Sequence, residues 1–325
     1  MSRNSGIFWA MLMSSNLIGN TFVYFEFKGL TDIDTKTRVT VSVVLAIICA
    51  CGTAVLLILR PATWNENSSR RVDTPKEAFL RSLKLFTNMD MLLLSVTFFY
   101  TGLVLTFWSG VYGPCLGSVM QFGNEAKSLV GLHGIAVGAG EIIGGALFGI
   151  FGSVMVRRGR DPVVVLGFIV HMVTFFVVFL NIPNNAPFGD TDQSAVIKSN
   201  PYIAVACSFL LGFGDACYNT QIFSMLGVIF SEDSVSAFAI FKFMQSLAAA
   251  TAFFYSTVMP LYYQLFVLVL LGFCGSVSFL RVELTTGRRE NQNGAQDSDG
   301  NQPERRPTGN EIPVQINDEE EPLVY

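Results

Sequence analysis

Three ionisable residues stand in apolar surroundings where a charge is expensive. Glu141 lies in GAGEIIGGALFGIFG, Asp215 in LLGFGDACYNTQ four residues before Asn219, and Lys242 in SEDSVSAFAIFKFMQS three residues before Gln245. At bilayer depth a charged side chain costs at least about 2.5–3.5 kcal/mol on insertion scales, so such groups pair, line a polar cavity or exchange protons. In a transport reading, Glu141 or Asp215 takes up a proton or cation during alternating access, with Lys242 as counter-charge and Asn219 and Gln245 contacting solute. In a structural reading, Lys242 pairs with one acid, the other is hydrogen-bonded across helices, and the set pins packing without turnover.

The elements that must position these residues are membrane helices. Hydrophobic residues make up 51% of the 325-residue chain and charged residues only 14%, against roughly 25% charged in soluble domains. A spanning helix needs about 20 mostly apolar residues, and eight stretches qualify: 6–27, 39–59, 91–112, 128–153, 162–181, 201–230, 235–258 and 261–281. The first has one positive charge ahead of it and no small-residue cleavage site, so it reads as a retained helix.

Lys and Arg orient the spans. Arg3, Arg60, Arg70, Arg71, Lys76, Arg81, Lys84, Arg157, Arg158, Arg160, Arg281, Arg288 and Arg289 share one set of faces, whereas the opposite loops hold Lys28, Lys36, Arg38, Lys127 and Lys198. Both termini are therefore predicted to be cytosolic. The sequon at Asn67 then falls on the cytosolic side, beyond reach of glycosylation.

Around Glu141, Gly138, Gly145 and Gly149 lie close to one helix face and let a neighbouring helix approach the backbone. Gly212 and Gly214 give room beside Asp215. His133 and His171 read as polar anchors near the membrane interface, and Tyr100, Phe107, Trp108 and Tyr112 as an aromatic run whose ends suit interfacial anchoring, with Tyr100 able to line a cavity. Asp90 and Glu26 sit near helix ends, where capping suffices. The six cysteines have no metal-finger spacing. No phosphate loop, zinc-spaced His pair or Ser-His-acid set is present, and no nucleic-acid surface. The expectation is a protein that is not an enzyme, holds no cofactor or metal, and has the lipid bilayer, a small-molecule solute or ion, and a membrane-protein partner as its candidate partners.

A short internal match relates the first and seventh spans: Ile7-Phe8 answers Ile240-Phe241 and Met11 answers Met244 at one offset, which sets Trp9 against Lys242. Six helices separate the copies, the spacing of the parallel six-helix halves of the major facilitator superfamily. The loop GSVMVRRGRDP resembles that superfamily's Gly-x-x-x-Asp-Arg-x-Gly-Arg-Arg/Lys motif, with Gly152, Arg157, Gly159 and Arg160 in place. It departs where Val156 replaces the acid and Asp161 the last base. Such a loop needs Gly to turn and Arg to hold helix-end carbonyls or anionic headgroups.

RNSGIFWA, LLLSVTFFYTGLVLTFWSGVYG, GEIIGGALFG, LLGFGDACYNTQ and SEDSVSAFAIFKFMQS together resemble the Unc-93-like family within that superfamily, from Ser2 to about Glu283. The resemblance implies an all-α, multi-pass bundle of the major facilitator type with about eight spans. It implies that residues 1–59 are the last two helices of an N-terminal half lacking its first four, that 60–90 form a cytosolic linker, and that 91–282 form a complete six-helix C-terminal half. Residues 283–325, with ten acids and four arginines, read as a disordered acidic cytosolic tail. Family architecture sets the helices bearing Glu141, Asp215 and Lys242 around a central cavity. It also implies that some relatives regulate potassium channels or receptor trafficking without demonstrated transport.

Overall fold

The structure, a computed structural model, describes residues 2–30, 33–58, 74–150 and 159–299. The longer helices are α1 (Ser2–Phe27), α2 (Thr35–Ile58), α3 (Pro75–Phe86), α4 (Met89–Thr106), α5 (Gly113–Ser118), α6 (Ala126–Ile150), α7 (Asp161–Asn181), α8 (Pro201–Ile229), α9 (Ser234–Ser256) and α10 (Leu261–Asp299). Between α4 and α5 the chain passes through a π-helix, Phe107–Tyr112. The chain divides into two units, Met1–Thr286 and Gly287–Tyr325. The first holds the whole bundle. The second is described only as the helical end of α10, as far as Asp299.

Seven helical stretches among the described residues are long and apolar enough to cross a membrane, which makes this an all-α, multi-pass integral membrane protein. The sequence predicts eight spans. The difference is α1, a helix of 26 residues whose Ser14-Ser15-Asn16 and Asn20-Thr21 dilute its apolarity. Those side chains are turned back on their own helix: Ser14, Ser15 and Thr21 donate to Met11, Leu12 and Leu17 carbonyls at 2.6–2.7 Å. A second difference lies at the far end, where the expected unstructured tail from Glu283 is instead helical to Asp299. Propagating an already anchored helix is cheap relative to nucleating one, and no proline follows until Pro303.

Local sequence fixes where the helices begin. Asn200 caps α8, its side chain accepting from Tyr202 N at 2.9 Å with Pro201 in the first turn. Its backbone is tied to the end of α7 by Asn181, which accepts from Asn200 N at 2.7 Å and donates to Asn200 O at 3.0 Å. In the 60–90 stretch the described part is ordered into α3 by a capping box, Thr74 with Glu77, followed by Pro75. An ion pair between Arg81 and Asp233 joins α3 to the start of α9. Asp34 precedes α2 and accepts from Thr37 N at 2.8 Å. Hydrogen bonding by Thr37 holds this exposed carboxyl below the usual carboxylate range.

Packing is tightest around α6, which lies against α1 on one side and α8 on the other. Its glycines serve both contacts. A Cβ at Gly138 would stand 3.1–3.2 Å from Leu17 in α1, and one at Gly140 would overlap the Phe209 carbonyl of α8. From α8, a Cβ at Gly212 would overlap the Val137 carbonyl of α6. α2 is the opposite case, with no buried residue along its length.

Gly212→Ala should therefore destabilise the bundle by about 1–3 kcal/mol, the usual cost of overpacking. Unfolding in detergent, followed by circular dichroism, measures it. Gly52→Ala in α2, where nothing lies within 4 Å, should change little.

Candidate functional site

Glu141 and Asp215 project from the two glycine-lined helices α6 and α8, and they are 0% and 1% exposed. Their carboxyl groups face each other in electrostatic and hydrogen-bonding range. Glu141 Oε1 and both oxygens of Asp215 have no closed hydrogen bond. The remaining oxygen, Glu141 Oε2, accepts from the indole Nε1 of Trp9 in α1. Thus the same close approach of α1, α6 and α8 that excludes lipid also brings two acids together. Two charges so placed in a low-dielectric interior would repel strongly.

Lys242, Gln245 and Asn219 form a chain of hydrogen bonds beside the pair. Lys242 Nζ donates to Gln245 Oε1 at 2.9 Å, and Gln245 Nε2 donates to Thr101 Oγ1 at 3.2 Å and Asn219 Oδ1 at 3.4 Å. Asn219 Nδ2 donates in turn to the Asp215 carbonyl at 3.1 Å. The expectation that Lys242 closes an ion pair with one acid is corrected by this geometry. Among the described residues it is held by Gln245 and by the faces of Phe241 and Phe223, at 4.7 and 5.9 Å from their ring centroids. Its charge reaches Asp215 only through space. The physical reason is its position on the outer side of α9, where it remains an exposed residue.

The repeat-related residues converge on one ring. Phe8 and Phe241 lie 6.3 and 5.7 Å from Phe223, centroid to centroid, and Trp9 lies 5.4 Å from it edge-on. Trp9 and Lys242 thus both meet the same aromatic side chain of α8.

Of the loop motif, Gly152 and Arg157 lie outside the described residues, as does Asn67. Gly159 has φ +89°, a conformation in which a side chain is strained. This turn delivers Arg160 to α10: Nη1 is 2.8 Å from Glu283 Oε2 and the backbone N–H donates to Glu283 Oε1 at 3.0 Å. Arg160 Nε also donates to Ser224 Oγ of α8 at 3.4 Å. Motif and site are separate clusters joined by α8.

Both histidines are buried in the bundle rather than placed at its rim. His133 bridges Ser208 Oγ and the Trp108 carbonyl at 2.8 and 2.7 Å. His171 Nδ1 lies 2.7 Å from Tyr100 Oη and its ring stacks on Tyr218 at 5.6 Å. Tyr100 is buried in that cluster. The residues that sequence reasoning missed are Trp9, Glu283 and the donors around Trp108. The only local signal is in SGVYGP, where Gly110, Gly113 and Pro114 mark an interrupted helix. No group of three His, Cys, Asp or Glu side chains is placed to hold a metal ion among the described residues.

Comparison with known proteins gives these arrangements a context. The family model of the ion channel regulatory protein UNC-93 matches residues 1–280. The UNC93-like protein MFSD11 of Xenopus laevis is 46% identical over 303 residues, which cover 87% of this chain and 68% of that protein. Its counterpart in Xenopus tropicalis is 44% identical over 313 residues, covering 90% and 70%. Protein unc-93 homolog A of Danio rerio is 26% identical over 312 residues, covering 86% and 61%. No solved structure matches the chain.

Removing one partner of the Arg160–Glu283 contact leaves the other charged and nearly buried. Glu283→Ala should cost about 1.5–3 kcal/mol, the range for hydrogen bonds to charged groups. Chemical unfolding in detergent reads this, and the double variant Arg160→Met with Glu283→Leu should recover part of the loss.

Proposed function

The chain belongs to the UNC-93 family, and from that premise we propose that it forms part of a facilitator-type secondary transporter for a small solute, in which Glu141 and Asp215 take up a proton. The observation that carries this reading is the pair itself: two buried carboxyls on facing helices, in range of each other, with three oxygens making no closed hydrogen bond. A scaffold has no need of so costly a pair, whereas a coupling site needs a group that changes charge between states. On this reading Asn219 and Gln245 meet the solute, and Lys242 offsets the pair's charge when both acids are ionised.

The architecture we propose is two helices of an N-terminal half, α1 and α2, followed by a six-helix C-terminal half. α1 serves as an eighth span; its 26 residues reach about 39 Å at 1.5 Å per residue, enough to cross a hydrocarbon core of about 30 Å. Both termini are then on the cytosolic side, where the loop motif bearing Arg160 also lies. Alternating access requires two opposed halves.

One observation favours a second reading, a regulatory or trafficking partner of a channel or receptor. α2 is apolar and holds no buried residue, a surface suited to another membrane protein. The family model's description as an ion channel regulatory protein points the same way.

The test is uptake in proteoliposomes holding the longest available form of the protein, with an inward proton gradient and a panel of small solutes. Uptake driven by the gradient should fall by at least an order of magnitude in Glu141→Gln and Asp215→Asn, with melting behaviour retained. Gradient-driven uptake that survives both substitutions would overturn the coupling role. Absence of uptake for every solute, together with a stably co-purifying channel or receptor, would favour the partner reading.

A further inference from the structure

Trp108 lies in the π-helix Phe107–Tyr112. A π-turn disrupts the regular backbone ladder, and such turns recur at functional sites. Here the carbonyl of Trp108 takes a partner from another helix, His133 Nε2 at 2.7 Å. A carbonyl only accepts, so Nε2 carries the ring proton, and Nδ1 is left to accept from the Ser208 hydroxyl at 2.8 Å. The assignment closes. Ala204 O, the other acceptor within reach of Ser208, also receives Tyr112 Oη at 3.0 Å. The imidazole fits because residue 113 is glycine, where a Cβ would stand 2.9 Å from His133 Cδ2.

The other end of Trp108 is unfinished. Its indole Nε1 is buried with no hydrogen-bond partner, and so are both oxygens of Asp215. The π-helix packs against α8, the helix that bears Asp215, and the indole lies in hydrogen-bonding range of that carboxyl. Leaving a buried donor unsatisfied is costly, so a small displacement that joins the indole to the carboxyl is favourable. On the opposite side of the carboxyl pair the same contact is already closed, between Trp9 and Glu141.

We propose that Trp108 is the second indole donor of the carboxyl pair, engaging Asp215, and that His133 is the positioning residue that sets this contact by holding the π-helix carbonyl. The inference rests on Glu141 and Asp215 being the working pair. Each acid then has its own indole, one from α1 and one from the π-helix. A hydrogen bond to a carboxylate is roughly twice as strong as one to a neutral acceptor, so Trp108 follows the charge on Asp215. His133, through the backbone, decides where the indole waits.

The test is 19F NMR of the full chain labelled with 5-fluorotryptophan, in detergent. The sequence has three tryptophans, Trp9, Trp64 and Trp108, and each signal is assigned by a Trp→Phe substitution. The Trp108 resonance should shift in Asp215→Asn and in His133→Leu, and should stay in place in His133→Gln, whose amide can still donate to the carbonyl. The Trp9 resonance should respond to Glu141→Gln and ignore His133→Leu. Should His133→Leu fail to fold, Gly113→Ala, which presses a methyl against the imidazole, should move the Trp108 signal instead. A Trp108 resonance unmoved by Asp215→Asn would overturn the proposal, as would equal shifts in His133→Leu and His133→Gln. Neither solute nor gradient is needed, so the contact can stand where uptake fails, and uptake can stand where the contact fails.

Discussion

The architecture depends on how closely α6 can approach its neighbours. Inside a bilayer, burying apolar side chains between helices gains little over leaving them in lipid, so helix association rests on close packing and on hydrogen bonds between helices. α6 meets that condition on two sides, with Gly138 toward Leu17 of α1 and Gly140 toward the Phe209 carbonyl of α8. Gly212 returns the contact from α8 to the Val137 carbonyl. Backbone meets backbone on both faces. Glu141 follows Gly140 directly, so this close packing surrounds the one carboxylate of α6.

That constraint explains the form of the polar site. Lipid cannot reach Glu141 or Asp215, and the space between the helices is too small to give each acid a full set of partners. Trp9 of α1 supplies the closed donor, to Glu141, whereas the chain from Lys242 through Gln245 and Asn219 ends on the Asp215 backbone carbonyl and not on its carboxyl group. Large flat indoles suit this role, since each carries one N–H donor on an apolar body that fills the gap beside a glycine helix. The cost is three carboxyl oxygens without a closed hydrogen bond.

Much of the bundle was legible because membrane helices are written in composition. Runs such as VVVLGFIVHMVTFFVVFL have one physical solution in a bilayer, a helix. The two acids also stood out, as charges in apolar runs. Their donors did not. Trp9 is separated from Glu141 by 132 residues, and a tryptophan near the start of a span reads as an interfacial anchor, so nothing local announces its bond. Glu283 looked like the first residue of a solvated tail, yet α10 continues through it and turns it to Arg160. The histidines were misplaced for a related reason: depth in a bundle is a property of neighbouring helices, and a single span carries no record of it.

The internal match between α1 and α9 gains meaning from where its members end up. Phe8 and Phe241 both pack on Phe223, and the residues that follow them, Trp9 and Lys242, lie against the same ring. Trp9 stands where a neutral donor can close on Glu141, deep between α1 and α6. Lys242 stands on the open side of α9, where its ammonium keeps a long stem along aromatic faces and its charge acts on Asp215 from a distance. A lysine at position 9 would carry a full charge into the densest part of the bundle and pair with Glu141 permanently. A tryptophan at 242 would remove the cation whose field reaches Asp215. The difference between the two copies therefore keeps one acid bound to a neutral donor and leaves the other in the field of a cation.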